Sequence, residues 1–189
     1  MSIESMVKGW TGEVKTKLSQ ILFLDMKEYH IFNNVLINAG SWTTQIDHVI
    51  VSRYGVFVVE TKNRDGWIYG EANDRYWTQV FPNKKKFTFQ NPLKQNIAHT
   101  LGLAKRLNIS NTKMHSVIVF WGNCRFKKVM PENVLNNNRA GYIKSKTQIL
   151  LNDGEIEKIC QQLQHIKENT SPQDNRRHVE TLKKRFNNG

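Results

Sequence analysis

Two runs of mostly β-branched residues, three positions apart, constrain this chain more than any other feature. Gln45–Ser52 reads QIDHVIVS and Val56–Lys62 reads VFVVETK, with only Arg53, Tyr54 and Gly55 between them. Runs of this composition joined by a short connection containing glycine form a β-hairpin. Three charged residues, Asp47, Glu60 and Lys62, interrupt the otherwise apolar strands. With Arg53-Tyr54 as the turn, Ser52 pairs with Gly55 and Asp47 faces Glu60. With Tyr54-Gly55 as the turn, Asp47 faces Lys62. Either register puts all three side chains on one face, because opposed residues share a face and Glu60 and Lys62 are two apart. A three-residue loop without a bulge would instead set Asp47 opposite Thr61.

Two neighbouring carboxylates within apolar strands are costly. Like charges repel across strands, and a buried unpaired charge costs several kcal/mol, roughly, after relaxation. Two arrangements relieve this. In one, Lys62 neutralises one carboxylate and water solvates the other. In the other, a divalent cation sits between them. Mg²⁺ takes a few carboxylate oxygens and keeps most of its waters, which leaves positions for a phosphate oxygen and a nucleophilic water. Lys62, one strand repeat from Glu60, would point at the same place. His48, next to Asp47, faces the other way and reads as a packed core histidine.

The rest of the chain supplies a scaffold. Val14, Leu18, Ile21 and Leu22 have helical spacing, which predicts a helix from about Thr11 to Leu24 with Thr11 as N-cap. Residues 30–38 predict a strand made irregular by Asn33-Asn34, followed by a turn over Asn38–Ser41. Gly66–Gly70 and Tyr76–Phe81 predict two short strands joined by a polar turn, and residues 82–86 a basic loop. Asn91-Pro92 predicts an N-cap with Pro at the first helical position. The helix it opens runs to about Leu107, with Leu93, Ile97, Leu101 and Ala104 as its buried face. His115–Trp121 is nearly all apolar, as a strand covered on both faces would be. Gly141–Lys144 is a candidate short strand. Ile156, Ile159, Cys160, Leu163 and Ile166 predict a helix after Asn152, and residues 174–187 a last one. This order predicts a three-layer α/β or α+β domain. It occupies residues 1–150, with a basic helical extension, 151–189, packed on or beside it.

Charge adds direction. Of 189 residues, 28 are Lys or Arg and 16 are Asp or Glu, a net charge of +12. Residues 1–60 carry a net −1 and residues 61–189 a net +13. Such basicity favours a polyanionic partner, nucleic acid ahead of a membrane surface. No apolar run is long enough to span a bilayer and the N-terminus lacks a signal-peptide core, so a cytoplasmic protein is expected. Cys124 and Cys160 lie far apart without a Cys-x-x-Cys pair, so free buried thiols are expected rather than a disulfide or zinc site. Trp67, Tyr69, Tyr76 and Trp77 suit either a core or stacking on unpaired bases. Lys84, Lys85 and Lys86 suit either a solvated loop or, with Arg64, nucleic-acid contacts. The basic 176–185 stretch offers similar contacts, and its apolar side offers a docking face for a further copy of the chain.

The chain resembles the nuclease-related (NERD) domain family, within the wider PD-(D/E)xK nuclease superfamily. The resemblance rests on Gly12-Glu13, on Gln45 through Val51 around Asp47, and on Gly55 through Lys62. It continues through Gly66–Gly70, Trp77, Gln90-Asn91-Pro92 and Gln95, and covers roughly residues 9–120. Ile46 stands where the superfamily name has Pro, a departure this superfamily tolerates. The resemblance implies a restriction-endonuclease-like fold, a central mixed β-sheet flanked by helices. It implies Mg²⁺ or Mn²⁺ held by Asp47, Glu60 and the Thr61 carbonyl, with Glu13 completing the shell. It also implies that Lys62 orients or deprotonates the attacking water. Gln90 and Gln95 would belong to the motif supporting Lys62 or the substrate phosphate, although both also suit a solvated helix start. The expected activity is hydrolysis of phosphodiester bonds, in DNA ahead of RNA. The alternative is a catalytically weak nucleic-acid-binding or protein-interaction module on the same fold.

Overall fold

The hairpin closes through the first of the two registers. In the computed structural model, which describes residues 24–38, 43–136 and 141–170, Ser52 pairs with Gly55 and the ladder runs to His48 opposite Val59. Arg53 and Tyr54 are therefore the turn, and the register that would set Asp47 against Lys62 is not adopted. The strands in chain order are β1 (His30–Asn38), β2 (Thr43–Ser52), β3 (Gly55–Asn63), β4 (Gly66–Tyr69), β5 (Tyr76–Val80), β6 (Lys86–Gln90), β7 (Met114–Trp121), β8 (Cys124–Phe126) and β9 (Val134–Leu135). The helices are α1 (Pro92–Leu107), α2 (Gly141–Ser145) and α3 (Asp153–Glu168).

The strands make two mixed sheets. The larger has the order β1-β2-β3-β7-β9 and the smaller β6-β5-β4-β8. β3 and β7 are parallel, and each runs on into the small sheet, where β4 and β8 are again parallel. Both passages turn on a glycine at positive φ, Gly66 and Gly122. A Cβ at either would strike a backbone carbonyl, that of Val80 or Arg64, so no other residue fits without strain.

Both faces of the large sheet are covered. On one, Val49, Val51, Val56 and Val58 pack against Leu103 and Leu107 of α1 and Leu163 and Ile166 of α3. On the other, Ile50, Phe57, Val59 and Val119 meet Leu24, Tyr29, Leu135 and Ile143. Trp77, Ile68, Leu93 and Phe120 fill the space between the two sheets. This is the mixed α+β architecture the sequence implied. The predicted helix over 11–24 with Glu13, most of the turn over 38–41 and the helix over 174–187 lie outside the described residues.

Both α1 and α3 begin at side-chain caps. Asn91 accepts the Leu93 N–H, and its amide group donates to the carbonyls of Glu71, Ala72 and Asp74. Asn152 and Glu155 form a reciprocal capping box. Some expectations need correction. Gly141–Lys144 is helical and buries only Ile143; a short run with two apolar residues reads equally well in either state. The basic loop gives way to β6 at Lys86, and β8 and β9 were not anticipated. The cysteines are free but only partly buried. On α1, Ile97 and Leu101 are exposed, while Asn96 and His99 are buried. The helix turns these polar groups inward because partners await them there. Among the described residues no helix is long and apolar enough to cross a membrane.

Candidate active site

Strand pairing opens at Asp47. In the β1–β2 ladder, Asn33 pairs with His48 and Val35 with Ile46, so Asn34 and Asp47 both drop out. Asn34 sits at φ 52, a left-handed conformation that asparagine tolerates. Side-chain alternation therefore steps by one on both strands. Ile46, Val35 and Ile37 join the same core as Val49 and Val51, although simple alternation would send them to the other face. The step also turns Thr44 toward α1. The irregularity expected at Asn33-Asn34 is thus what shapes the site.

Released from the ladder, Asp47 reaches across to β3. Its Oδ2 accepts the Thr61 N–H at 2.9 Å and the Thr61 hydroxyl at 2.7 Å. Glu60, only 3% exposed, points toward α1. Its Oε1 accepts the Lys62 Nζ at 2.6 Å, and the same ammonium donates to Gln95 Oε1 at 3.1 Å. Burial, and then the charge of Asp47, push the Glu60 carboxyl up to about 7 from an ordinary 4.5; Lys62 and Gln95 pull the other way. Burying the charged form is penalised and the neighbouring carboxylate repels it, so this corner of the sheet is short of positive charge.

His99 of α1 closes the site from above. Its Nδ1 lies 3.5 Å from Glu60 Oε2 and its Nε2 is 2.9 Å from the Thr44 hydroxyl. One turn earlier, the Asn96 amide group donates to the Val58 carbonyl and the Ser116 hydroxyl, fixing α1 over β3 and β7. Neither residue was singled out from the sequence. A signal existed: Asn96 and His99 are three apart and share a helical face with Leu93 and Leu103. His48 packs on the opposite side against Asn33 Oδ1 at 2.9 Å; burial lowers its pKa to about 4, so it stays neutral as expected of a core histidine.

The other candidates separate from this centre. Gln90 lies on β6 opposite Tyr76, on the outside of the small sheet. Lys84 and Lys85 are exposed in the turn before β6, and Lys86 begins that strand. Arg64 is engaged, its Nη1 donating to Gln79 Oε1 at 3.0 Å and its guanidinium lying 4.6 Å over the Phe89 ring.

Asp47, Glu60 and the Thr61 carbonyl are hard oxygen donors of the kind Mg²⁺ or Mn²⁺ accepts, and the raised Glu60 pKa marks a place where added positive charge is favourable. The donor set therefore fits such an ion. Among the described residues no group of three or more His, Cys, Asp or Glu side chains converges as a metal site.

A mixed sheet whose central strands bring Asp47, Glu60 and Lys62 together under a helix is consistent with the restriction-endonuclease-like class of folds. The family model described as "Nuclease-related domain" matches residues 8–121, and the chain belongs to that family. It is also 33% identical to an uncharacterized protein of Bacillus anthracis, over 97% of this chain and 89% of that one. No solved structure gives a significant match.

Proposed function

We propose that the chain is a metal-dependent nuclease that hydrolyses phosphodiester bonds, in DNA ahead of RNA. The observation that carries this reading is the juxtaposition of Asp47 and Glu60 with Lys62 already held against Gln95. Asp47, Glu60 and the Thr61 carbonyl would hold Mg²⁺ or Mn²⁺, with Glu13 joining from the N-terminal segment. Bound there, the ion would polarise the scissile phosphate and offset its charge.

The chain's own residues do the rest. Thr61 fixes the Asp47 carboxylate with two hydrogen bonds, so one oxygen is positioned before any ligand arrives. Lys62 keeps three donors on a flexible stem. Once Glu60 is otherwise neutralised, its ammonium is released toward the attacking water and the phosphate oxygens, where it orients the one and stabilises charge on the other. Gln95 holds that ammonium at the site meanwhile. Thr44 holds the His99 ring at Nε2, with Nδ1 facing the second Glu60 oxygen at 3.5 Å. The basic surface beyond residue 60 would bind the backbone without regard to sequence.

The test is incubation with plasmid and single-stranded DNA in Mg²⁺, Mn²⁺ or EDTA. Asp47→Ala and Lys62→Ala should each lower metal-dependent cleavage by about 100-fold or more, the scale of losing one transition-state donor. Cleavage in EDTA, or cleavage indifferent to both substitutions, would sink the assignment. Binding without cleavage would make the chain a nucleic-acid-binding module instead.

A further inference from the structure

The small sheet has two unlike faces. Inward point Ile68, Trp77 and Gln79, all buried. Outward point Trp67, Tyr69 and Tyr76, which are 40%, 39% and 53% exposed. Register places these three rings in a row. Trp67 and Tyr69 are successive same-face residues of β4, about 7 Å apart. Tyr69 pairs with Thr78, which makes Tyr76 its diagonal neighbour at about 7–8 Å. Pairing across the strands stabilises such rings by only about 0.2–1 kcal/mol each, and a contiguous row of open aromatics is the kind of surface that marks an interaction site.

Cations flank that row. Trp67 pairs with Arg125 of β8 on one side, and the Lys127 ammonium lies 4.9 Å over its ring. Arg75 lies 5.3 Å over Tyr76. On the other side Val80, itself opposite Trp67, pairs with Lys86. The four strands contain no Asp or Glu. A cleft of about 390 Å³ opens beside Trp67 and Arg125, bounded by Phe81, Pro82 and Asn123. Asp65, also at its edge, already accepts the Asn123 N–H at 2.7 Å.

We propose that this outer face is a stacking platform for single-stranded DNA, with Trp67, Tyr69 and Tyr76 taking successive bases and Arg125, Lys127 and Lys86 their phosphates. The spacing argues for unpaired strands. Rings about 7 Å apart match bases pulled out of stack, whereas a duplex stacks its bases every ~3.4 Å and hides their faces. Aromatic stacking is indifferent to sequence, and the cations supply the salt-dependent backbone term. The inference builds on the nuclease reading by naming the form of DNA delivered. Trp67 is five residues beyond Lys62, so the two Cα atoms are at most about 18 Å apart.

The test reads binding in EDTA, where cleavage does not interfere. Fluorescence anisotropy would follow labelled oligothymidine, the same strand in duplex, and oligouridine. The Trp67→Ala/Tyr69→Ala variant should lose single-strand affinity by about tenfold or more with little change for duplex. Arg125→Ala/Lys127→Ala should weaken both and flatten the salt dependence. All four residues are on the surface, so unchanged melting temperatures will show that the variants fold. Unchanged oligothymidine affinity in the aromatic variant overturns the platform, and tighter binding of oligouridine by the wild type overturns its assignment to DNA. The nuclease reading fails separately: a chain that binds strands through these rings yet cleaves nothing keeps the platform and loses the catalysis.

Discussion

The large and small sheets use polar and aromatic residues in opposite ways. In the large sheet, charge is buried: Glu60 is 3% exposed, with the Lys62 ammonium at 2.6 Å and His99 at 3.5 Å. In the small sheet, aromatics are exposed, with cations leaning on their rings. Neither arrangement optimises stability. A buried carboxyl raised to about 7 and a row of open rings both depart from what a minimal core needs, and they sit on neighbouring segments of one chain. The lesson is that departure from good packing marks function only where the geometry also supplies a recipient. For Glu60 the proposed recipient is a cation; for Trp67, a base.

The sharpest test of the small sheet's side of this contrast is to remove the same residue type from each of its two faces. Trp77→Ala should cost about 3–5 kcal/mol. The ring is fully buried, stacks on Phe120 at 6.1 Å and donates its N–H to the Glu71 carbonyl. Trp67→Ala should cost under about 1 kcal/mol. Urea unfolding of the two variants decides it, and equal costs would mean that the outer row is structural after all.

Next in size is the pH dependence of the carboxylate site. A carboxyl raised on folding contributes most below pH 4.5, and that contribution is lost as the pH climbs through about 7. Glu60→Gln should therefore raise the metal-free stability at pH 8 by up to about 3 kcal/mol and change it little at pH 4. Thermal melts across that range read the difference; a variant that is less stable than wild type at pH 8 would show that the Lys62 ion pair outweighs the burial penalty. Smaller still, Asn91→Ala should cost about 1–2 kcal/mol, at the upper end of the capping range, because Asn91 ties α1 to the turn between β4 and β5. Asn152→Ala, a cap exposed to solvent, should cost about 0.5–1 kcal/mol, and denaturant midpoints rank the pair.

Much of this was legible in the sequence, and the failures are as physical as the successes. The hairpin could be read because β-branched runs, a short link and period-two alternation agree. The N-cap at Asn91 could be read because Asn-Pro stands directly before a run with helical spacing. Glu60, Lys62 and Gln95 were picked out and bond to one another, while Asp47, also picked out, bonds to Thr61 next to them. The inward face of α1 was misread because Ile97 and Leu101 satisfy helical periodicity, whereas burial went to Asn96 and His99, whose value lies in partners on strands far away in sequence. The step in alternation at Asn34 and Asp47 was equally hidden. A residue dropped from both strands leaves the register sum intact and changes only which way the side chains point.

The central claim is that Asp47 and Glu60 attract a divalent cation despite the Lys62 ammonium already bonded to Glu60. Calorimetric titration of Mn²⁺ at pH 8 measures this directly. Wild type should bind, Asp47→Ala and Glu60→Gln should bind about tenfold more weakly or worse, and Trp67→Ala should match wild type. Equal Mn²⁺ affinity in wild type and both carboxylate variants would contradict it, leaving Lys62 as the only counter-charge the site was built to hold.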